Sequence, residues 1–383
     1  MSSRVFVRAE KVAGEKRVTA TADSVRKLKA AGLDVSVAPG AGRFAGITDE
    51  AYAAAGATIE SSLPRGAGDV LFHVRPLTAS DLDALPSGTV TVGVVDPFNN
   101  VGVLQKAASS RLTTFALDFL PRISRAQSMD VLSSQALLAG YKCVLLAADA
   151  FDRMFGMTMT AAGTLAPARV LVLGAGVAGL QAIATAKRLG GVVSAYDVRS
   201  SSADEVRSVG GTFIALDLEA ADASGGYAKE LGAARAQRQR ELLTPFVEAA
   251  DIIITTAAVP GRPAPLLITS AMMGGMKAGS VVVDLAAETG GNVEASMPGT
   301  SIPFPVAAGQ VTVIGVRDIH SDLAIDASKL LAMNFANFVT ALTVEGEVVP
   351  DFSDELVSGS CLTHDGAIIH PRITELFPEE VAR

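Results

Sequence analysis

The strongest chemical signal in the chain is Gly174-Ala175-Gly176-Val177-Ala178-Gly179. Taken alone, a GxGxxG spacing arises by chance in alanine- and glycine-rich chains. Here a β-branched run, RVLVLG, ends on the first glycine, and a helical pattern, LQAIATAKRLG, follows the last. In that context each glycine has its own task. The first permits the tight turn, the second lets the backbone approach a pyrophosphate, and the third allows close helix–strand packing. The helix N-terminus behind them turns unpaired N–H groups and a positive dipole end towards the phosphates. The next strand ends in Tyr196-Asp197. A carboxylate there accepts hydrogen bonds from the adenosine ribose and repels a 2′-phosphate, which favours NAD(H) over NADP(H). Val198 and Arg199 follow. An arginine nearby can accommodate a 2′-phosphate, but the acid comes first. We therefore read residues 174–179 with Asp197, Val198 and Arg199 as a cofactor-binding set, and NAD(H) as the cofactor. The structural alternative is a tight βα turn with Asp197 capping a helix.

Other chemistries find less support. His73, His320, His364 and His370 lack metal-ligand spacing, and Cys143 and Cys361 stand far apart, outside any CxxC. No metal site is expected, and two unpaired thiols suit a reducing compartment. Asp284 and Glu288 follow a strand end and read as helix-terminus or cofactor-rim carboxylates, not as an acid/base pair. There is no GxSxG and no P-loop.

The elements that must position these residues follow from periodicity. From Arg169 the chain reads RVLVLG, VVSAYD, TFIAL, DIIITT, VVVDLA and VTVIGV, six strands that fill a doubly wound dinucleotide domain. The first third alternates strand candidates at 4–7, 34–38, 70–74, 89–95 and 113–116 with the helical stretches TADSVRKLKAAG and TDEAYAAAG. One long helix is expected over 128–150, linking two domains. The run DASKLLAMNFANFVTAL predicts a further helix, after which the tail turns irregular. The tail is too short to fold alone and is expected to return to the first domain. Between the third and fourth strands, the insertion LEAADASGGYAKELGAARAQRQRELLTPFVEAA reads as a mobile surface loop and then a helix. The fold class is α/β, with two doubly wound parallel-sheet domains. The second (133–318) is a Rossmann dinucleotide-binding domain, and the first (1–132 plus 319–383) is flavodoxin-like and discontinuous.

Composition agrees. A chain of 383 residues, 49% hydrophobic, can bury two cores. Its 32 basic and 40 acidic residues leave a net charge of −8, which argues against nucleic acid or anionic lipid as the main partner. Alanine and valine raise the mean hydropathy to +0.37. No stretch reaches 18 uncharged apolar residues, so no direct membrane span is expected. The start, MSSRVFVRAE, has no apolar core of a signal peptide.

Longer motifs narrow the reading. PRISRAQSMDVLSSQALLAGY stands upstream of GAGVAGLQAIATAKRLGGVVSAYDVR. Downstream stand GGYAKE, TTAAVPGRPAP, VVVDLAAETGGN and DGAIIHP. Together these resemble the NAD(H)-binding domain of proton-translocating transhydrogenases, within the broader alanine dehydrogenase/transhydrogenase family. PRISRAQSMD is the most specific element, since alanine dehydrogenases lack it. The resemblance implies hydride transfer between NAD(H) here and NADP(H) on a partner domain, coupled to proton movement by a membrane proton-channel subunit. It also implies a homodimer, peripheral at the cytoplasmic face of the membrane through its partners. Ending at Arg383, the chain resembles the version whose soluble part is a separate subunit.

The family's arginine–glutamine–aspartate loop falls on Arg122, Gln127 and Asp130. Hydride transfer needs two nicotinamides held in register more than it needs an acid or base. Arg122 can fork to a carboxamide or phosphate, Asp130 can accept from the carboxamide, and Gln127 can bridge towards the partner's nucleotide. The implied contacts extend to Ile123, Ser124, Arg125, Ser128, Met129 and Ser133. Alternatively, Arg122 and Asp130 form a surface ion pair and Gln127 caps a helix. The family's lid tyrosine falls on Tyr227, hinged at Gly225 and Gly226. Gly226, Gln239 and Ala258 fall around the adenosine half. A solvent-facing Tyr227 without a role is the alternative.

Two other functions compete. Glu15-Lys16-Arg17-Val18 resembles the start of alanine dehydrogenases, in which that arginine helps hold the substrate carboxylate. Those enzymes also need a lysine and a histidine. Phe72-His73-Val74-Arg75-Pro76 has no lysine, and VVDPFNN has no histidine. His73 is the one candidate base, and a lone histidine is more often structural. The second competitor is a module that senses NADH without transferring hydride.

Overall fold

The computed structural model describes residues 2–61, 63–217, 232–259 and 261–378. The chain forms two compact units, Met1–Gln135 with His320–Arg383, and Ala136–Ile319.

In the first unit, strands β1 (Arg4–Val7), β2 (Asp34–Val37), β3 (Thr58–Ile59), β4 (Val70–His73), β5 (Val90–Gly93) and β6 (Thr113–Ala116) line up as β3-β2-β1-β4-β5-β6. All these pairs are parallel. Beyond β6, Cys361–His364 and Ala367–Ile368 add two antiparallel strands. The tail expected to be irregular therefore completes this sheet. Residues of β4, β5 and β6 are buried throughout, as suits strands covered on both faces. Their cover includes the helix Ala324–Ala341, whose Phe335 and Phe338 meet Phe72 and Phe115 with ring centroids 5.1 and 5.3 Å apart.

The second unit opens with a hairpin, β7 (Thr158–Thr160) and β8 (Gly163–Leu165). Then come β9 (Arg169–Leu173), β10 (Val192–Tyr196), β11 (Thr212–Phe213), β12 (Ile252–Thr255), β13 (Val281–Asp284), β14 (Thr300–Val306) and β15 (Gly309–Gly315). Their order is β11-β10-β9-β12-β13-β15-β14, and β14 alone runs antiparallel. The topology switches at β9, where the glycine turn begins. Open α/β sheets bind their ligands at such points, beyond the carboxyl ends of the strands.

The helix Val131–Ala150 starts a few residues later than periodicity suggested, because a 3-10 turn, Ser124–Met129, precedes it. Among the described residues it is the one helix long and apolar enough to cross a membrane, with a mean hydropathy of 1.5. Lys142 interrupts its uncharged run, and 44% of that window is buried within the fold.

Candidate functional site

The three fingerprint glycines differ in their surroundings. Gly174 has φ +100°, and a Cβ there would stand 2.7 Å from Thr256 Oγ1. A Cβ on Gly179 would lie 1.9 Å from the Gly174 carbonyl oxygen. These two glycines let the turn and helix close on each other. Gly176 is different. A Cβ there meets nothing within 4 Å, and its φ of −78° suits any residue. No packing within the chain demands glycine at 176. Bare backbone facing open space is what close approach by a pyrophosphate requires. Gly176 also gives the helix Val177–Arg188 no side-chain cap, so its first turn is left for a ligand. The residues present fit a dinucleotide.

The turn and the acid are joined directly. Gly174 N–H donates to the Tyr196 carbonyl at 2.8 Å, and Ala175 N–H donates to Asp197 Oδ2 at 2.7 Å. Asp197 thus sits where the turn fixes it. The Arg199 guanidinium donates to the same carboxylate, Nε to Oδ1 at 3.0 Å and Nη2 to Oδ2 at 3.1 Å. Val177 is exposed, Ala178 is buried, and Val198 packs against the core. Sequence reasoning missed Gly140 on the long helix. A Cβ there would stand 2.0 Å from the Ala178 carbonyl oxygen, so Gly140 lets this helix cross the start of the phosphate-facing one.

Gln239 is buried on the helix Ala233–Ala249, and its Nε2 has no hydrogen-bond partner. One turn earlier, Arg235 Nε is likewise buried and unpartnered. Burial pushes the Tyr196 phenol up to about 12; Asp197 adds to the rise and the charge of Arg235 opposes it. Arg235 is a further site neighbour that sequence reasoning missed. Ala258 is exposed after β12. Gly225, Gly226 and Tyr227 lie outside the described residues.

Asp284 is not a rim carboxylate, as the sequence suggested, but a fully buried brace. It accepts from Thr255 Oγ1 at 2.8 Å and from the N–H groups of Ala286 and Asn292, each at 3.0 Å. Asn292 in turn holds both backbone groups of Ala257, accepting from N–H at 3.1 Å and donating to the carbonyl at 2.8 Å. The loop carrying Ala258 is thereby tied to the end of β13. Glu288 is exposed and accepts from Asp318 N–H at 3.2 Å.

In the first unit, the 3-10 turn Ser124–Met129 is pinned by buried Ala126 and Met129, while Arg122, Ser124, Arg125, Gln127 and Ser128 are exposed and Ile123 is half-buried. Arg125 pairs with Asp354. Asn334 and Asn337 both donate to the Ser128 carbonyl, at 2.9 and 2.8 Å. Asp130 caps the following helix, accepting from Ser133 N–H at 2.9 Å and from Ser133 Oγ at 2.6 Å. The turn therefore presents Arg122 and Gln127 outward from a fixed base. Sequence reasoning missed the two asparagines, whose only signal was polarity at helix positions that otherwise read as core.

His73 cannot serve as the base of an amino-acid dehydrogenase. It is buried, Nδ1–H donates to the Arg75 carbonyl at 2.8 Å, and Nε2 has no partner. Burial lowers its pKa to about 4, the Arg75 carbonyl opposing. A Cβ on Gly93 would fall 2.2 Å from the ring, so the ring fills a slot in the sheet. Nearby, buried Glu15 pairs with Arg17 and Arg75, each at 2.7 Å. Burial raises the Glu15 pKa, but hydrogen bonds and charge from Arg17, with Arg75, outweigh it and hold it at about 2. Among the described residues, no group of three or more His, Cys, Asp or Glu could hold a metal ion.

With this geometry in hand, similarity to known proteins is informative. Residues 6–139 match the model described as alanine dehydrogenase/PNT, N-terminal domain, and residues 143–371 match alanine dehydrogenase/PNT, C-terminal domain. An NAD(P) transhydrogenase alpha subunit of Rhodospirillum rubrum, in its separately encoded first portion, is 46% identical over 383 residues, covering 97% of this chain and 99% of the relative. A transhydrogenase structure from Sinorhizobium meliloti is 42% identical with a TM-score of 0.82, covering 97% of this chain and 100% of that one. The alanine dehydrogenase of Halomonas elongata is 27% identical over 368 residues, covering 95% of this chain and 94% of the relative.

Proposed function

The chain belongs to the alanine dehydrogenase/PNT family and stands with its NAD(P) transhydrogenase alpha subunits, and on that premise we propose that it is the NAD(H)-binding subunit of a proton-translocating transhydrogenase. One observation carries the cofactor assignment: the Ala175 N–H bond to Asp197, 2.7 Å long, welds an open glycine turn to a ribose-facing acid. The bound dinucleotide supplies the nicotinamide that carries the hydride. The chain's own residues bind and orient it. Residues 174–179 receive the pyrophosphate, and Asp197 receives the adenosine ribose. Arg122 and Asp130 hold the carboxamide end, and Gln127 reaches towards the NADP(H) of the partner domain. No proton acceptor is required of this chain, which agrees with the sealed surroundings of His73.

A membrane proton-channel subunit completes the complex, and the chain works at the cytoplasmic face through these partners. The hairpin of β7 and β8 leaves Met157, Met159 and Leu165 exposed, and a second copy of the chain is the cover we assign to it. A monomer in sedimentation at micromolar concentration overturns the homodimer. The function itself is tested by mixing the native chain with the NADP(H)-binding domain of a transhydrogenase and following hydride transfer from NADH to an NADP analogue. Rapid transfer supports the assignment. Tight NADH binding without transfer points instead to a sensing module, and turnover of alanine with NAD to an amino-acid dehydrogenase.

A further inference from the structure

The Asp197 carboxylate is already full. Oδ1 accepts from Arg199 N–H at 2.9 Å and Nε at 3.0 Å, and Oδ2 accepts from Ala175 N–H at 2.7 Å and Arg199 Nη2 at 3.1 Å. A carboxylate offers about four lone-pair sites, so four donors leave none for a ribose hydroxyl. One donor must yield before the ribose can be held. The two backbone N–H groups are fixed, one by the glycine turn and one by the adjoining peptide. The two guanidinium bonds come from a side chain with rotamer freedom, partly open to solvent at 23% while Asp197 is 8% exposed. Arg199 is therefore the donor that gives way.

What Arg199 does next bears on cofactor choice. While it holds Asp197, the charge that should repel a 2′-phosphate is neutralised. Once displaced, its guanidinium remains beside the ribose, where a fork of N–H donors suits a phosphate. Two other charges act here: Glu205, in the helix Ser202–Ser208, attracts Arg199, and Arg235 acts on the neighbouring Tyr196. Glu205 offers the displaced side chain a second resting place.

We propose that Arg199 is a specificity-determining residue, which competes with the ribose hydroxyls for Asp197 and, once displaced, offers its guanidinium to a 2′-phosphate. Discrimination against NADP(H) is then set by the pair and is weaker than Asp197 alone would give. The inference rests on reading Asp197 as the ribose acceptor, and the test separates the two claims.

Calorimetric titration of the full chain with NADH and with NADPH gives the ratio of their dissociation constants. In Arg199→Leu the ratio of NADPH to NADH constants should rise by about tenfold, the scale of one charge-assisted contact. NADH should bind at least as tightly as before. A ratio unchanged in a folded variant overturns the role of Arg199. Asp197→Asn should weaken NADH and lower the ratio. If it binds NADH as the native chain does, the ribose reading falls, whatever Arg199→Leu shows. Should Arg199→Leu fail to fold, the native chain still decides. NADPH affinity must then fall more steeply with salt than NADH affinity, and equal slopes overturn the proposal.

Discussion

Gly176 and Gly179 stand three residues apart in one motif yet answer to different forces, and substitution separates them. A Cβ at Gly179 strikes the Gly174 carbonyl oxygen, so Gly179→Ala must push the helix off the turn. It should cost about 1–3 kcal/mol of stability and lose NADH binding with it. A Cβ at Gly176 strikes nothing. Gly176→Ala should melt within a degree or two of the native chain yet bind NADH roughly 100-fold more weakly, because the methyl occupies the space a pyrophosphate needs. Thermal melting and NADH titration of both variants check this. Normal NADH binding by Gly176→Ala would remove the phosphate from this turn. Gln127 makes a similar distinction for the hydride step. It is exposed on a turn whose base is fixed, so Gln127→Asn withdraws the amide by one methylene without disturbing the fold. Misplacement of that order can cost about 100-fold in rate. Single-turnover transfer should fall while NADH affinity of the isolated chain holds. Loss of affinity in proportion to rate would place Gln127 in the binding pocket instead.

At the scale of elements, the turn Ser124–Met129 depends on the helix Ala324–Ala341, some two hundred residues later in the chain. Asn334 and Asn337 share one acceptor, the Ser128 carbonyl. Changing both to alanine should free the turn at a cost of about 1–3 kcal/mol. Transfer to the partner should slow by roughly tenfold or more while NADH still binds. Stopped-flow transfer beside NADH titration tests it, and an unchanged rate would mean that the asparagines only support the fold. This dependence also shows what periodicity can and cannot reveal. The six parallel strands of the dinucleotide sheet are legible because each is a buried β-branched run. β14 is not, because Pro303 and Pro305 disguise an edge strand, the one place a sheet tolerates them. The strands Cys361–His364 and Ala367–Ile368 are too short to show a period. Residue type alone revealed the glycines and Asp197. It could not reveal that Asp284 is sealed under Asn292, or that Arg199 grips Asp197, because both depend on contacts made only after folding.

For the molecule as a whole, pH should act on stability through the first unit before it acts on chemistry. Burial holds His73 at about 4, below its ordinary value of 6.5, so the folded protein keeps it neutral where the unfolded chain takes up a proton. Between pH 6.5 and 4 the unfolded state therefore binds more protons. The contribution is full above about pH 6.5 and is lost as pH falls through the window, by roughly 3 kcal/mol in all. Glu15 works lower. Its pKa is depressed to about 2 from 4.5, so the stability it gives is present above pH 4.5 and disappears only as pH falls towards 2. Acidification should thus weaken the first unit in two stages, the histidine first. Hydrogen exchange at β4 and β5, corrected for the intrinsic pH dependence of exchange, reads the first stage where it occurs. Protection of Val70–His73 and Val90–Gly93 should decline between pH 6.5 and 4.5 in the native chain. In His73→Asn the slope should be shallower, because an amide can still donate to the Arg75 carbonyl but has nothing to titrate. An equal slope in the two proteins would assign the acid sensitivity to another group, with His320, which burial holds at about 3, the next to substitute.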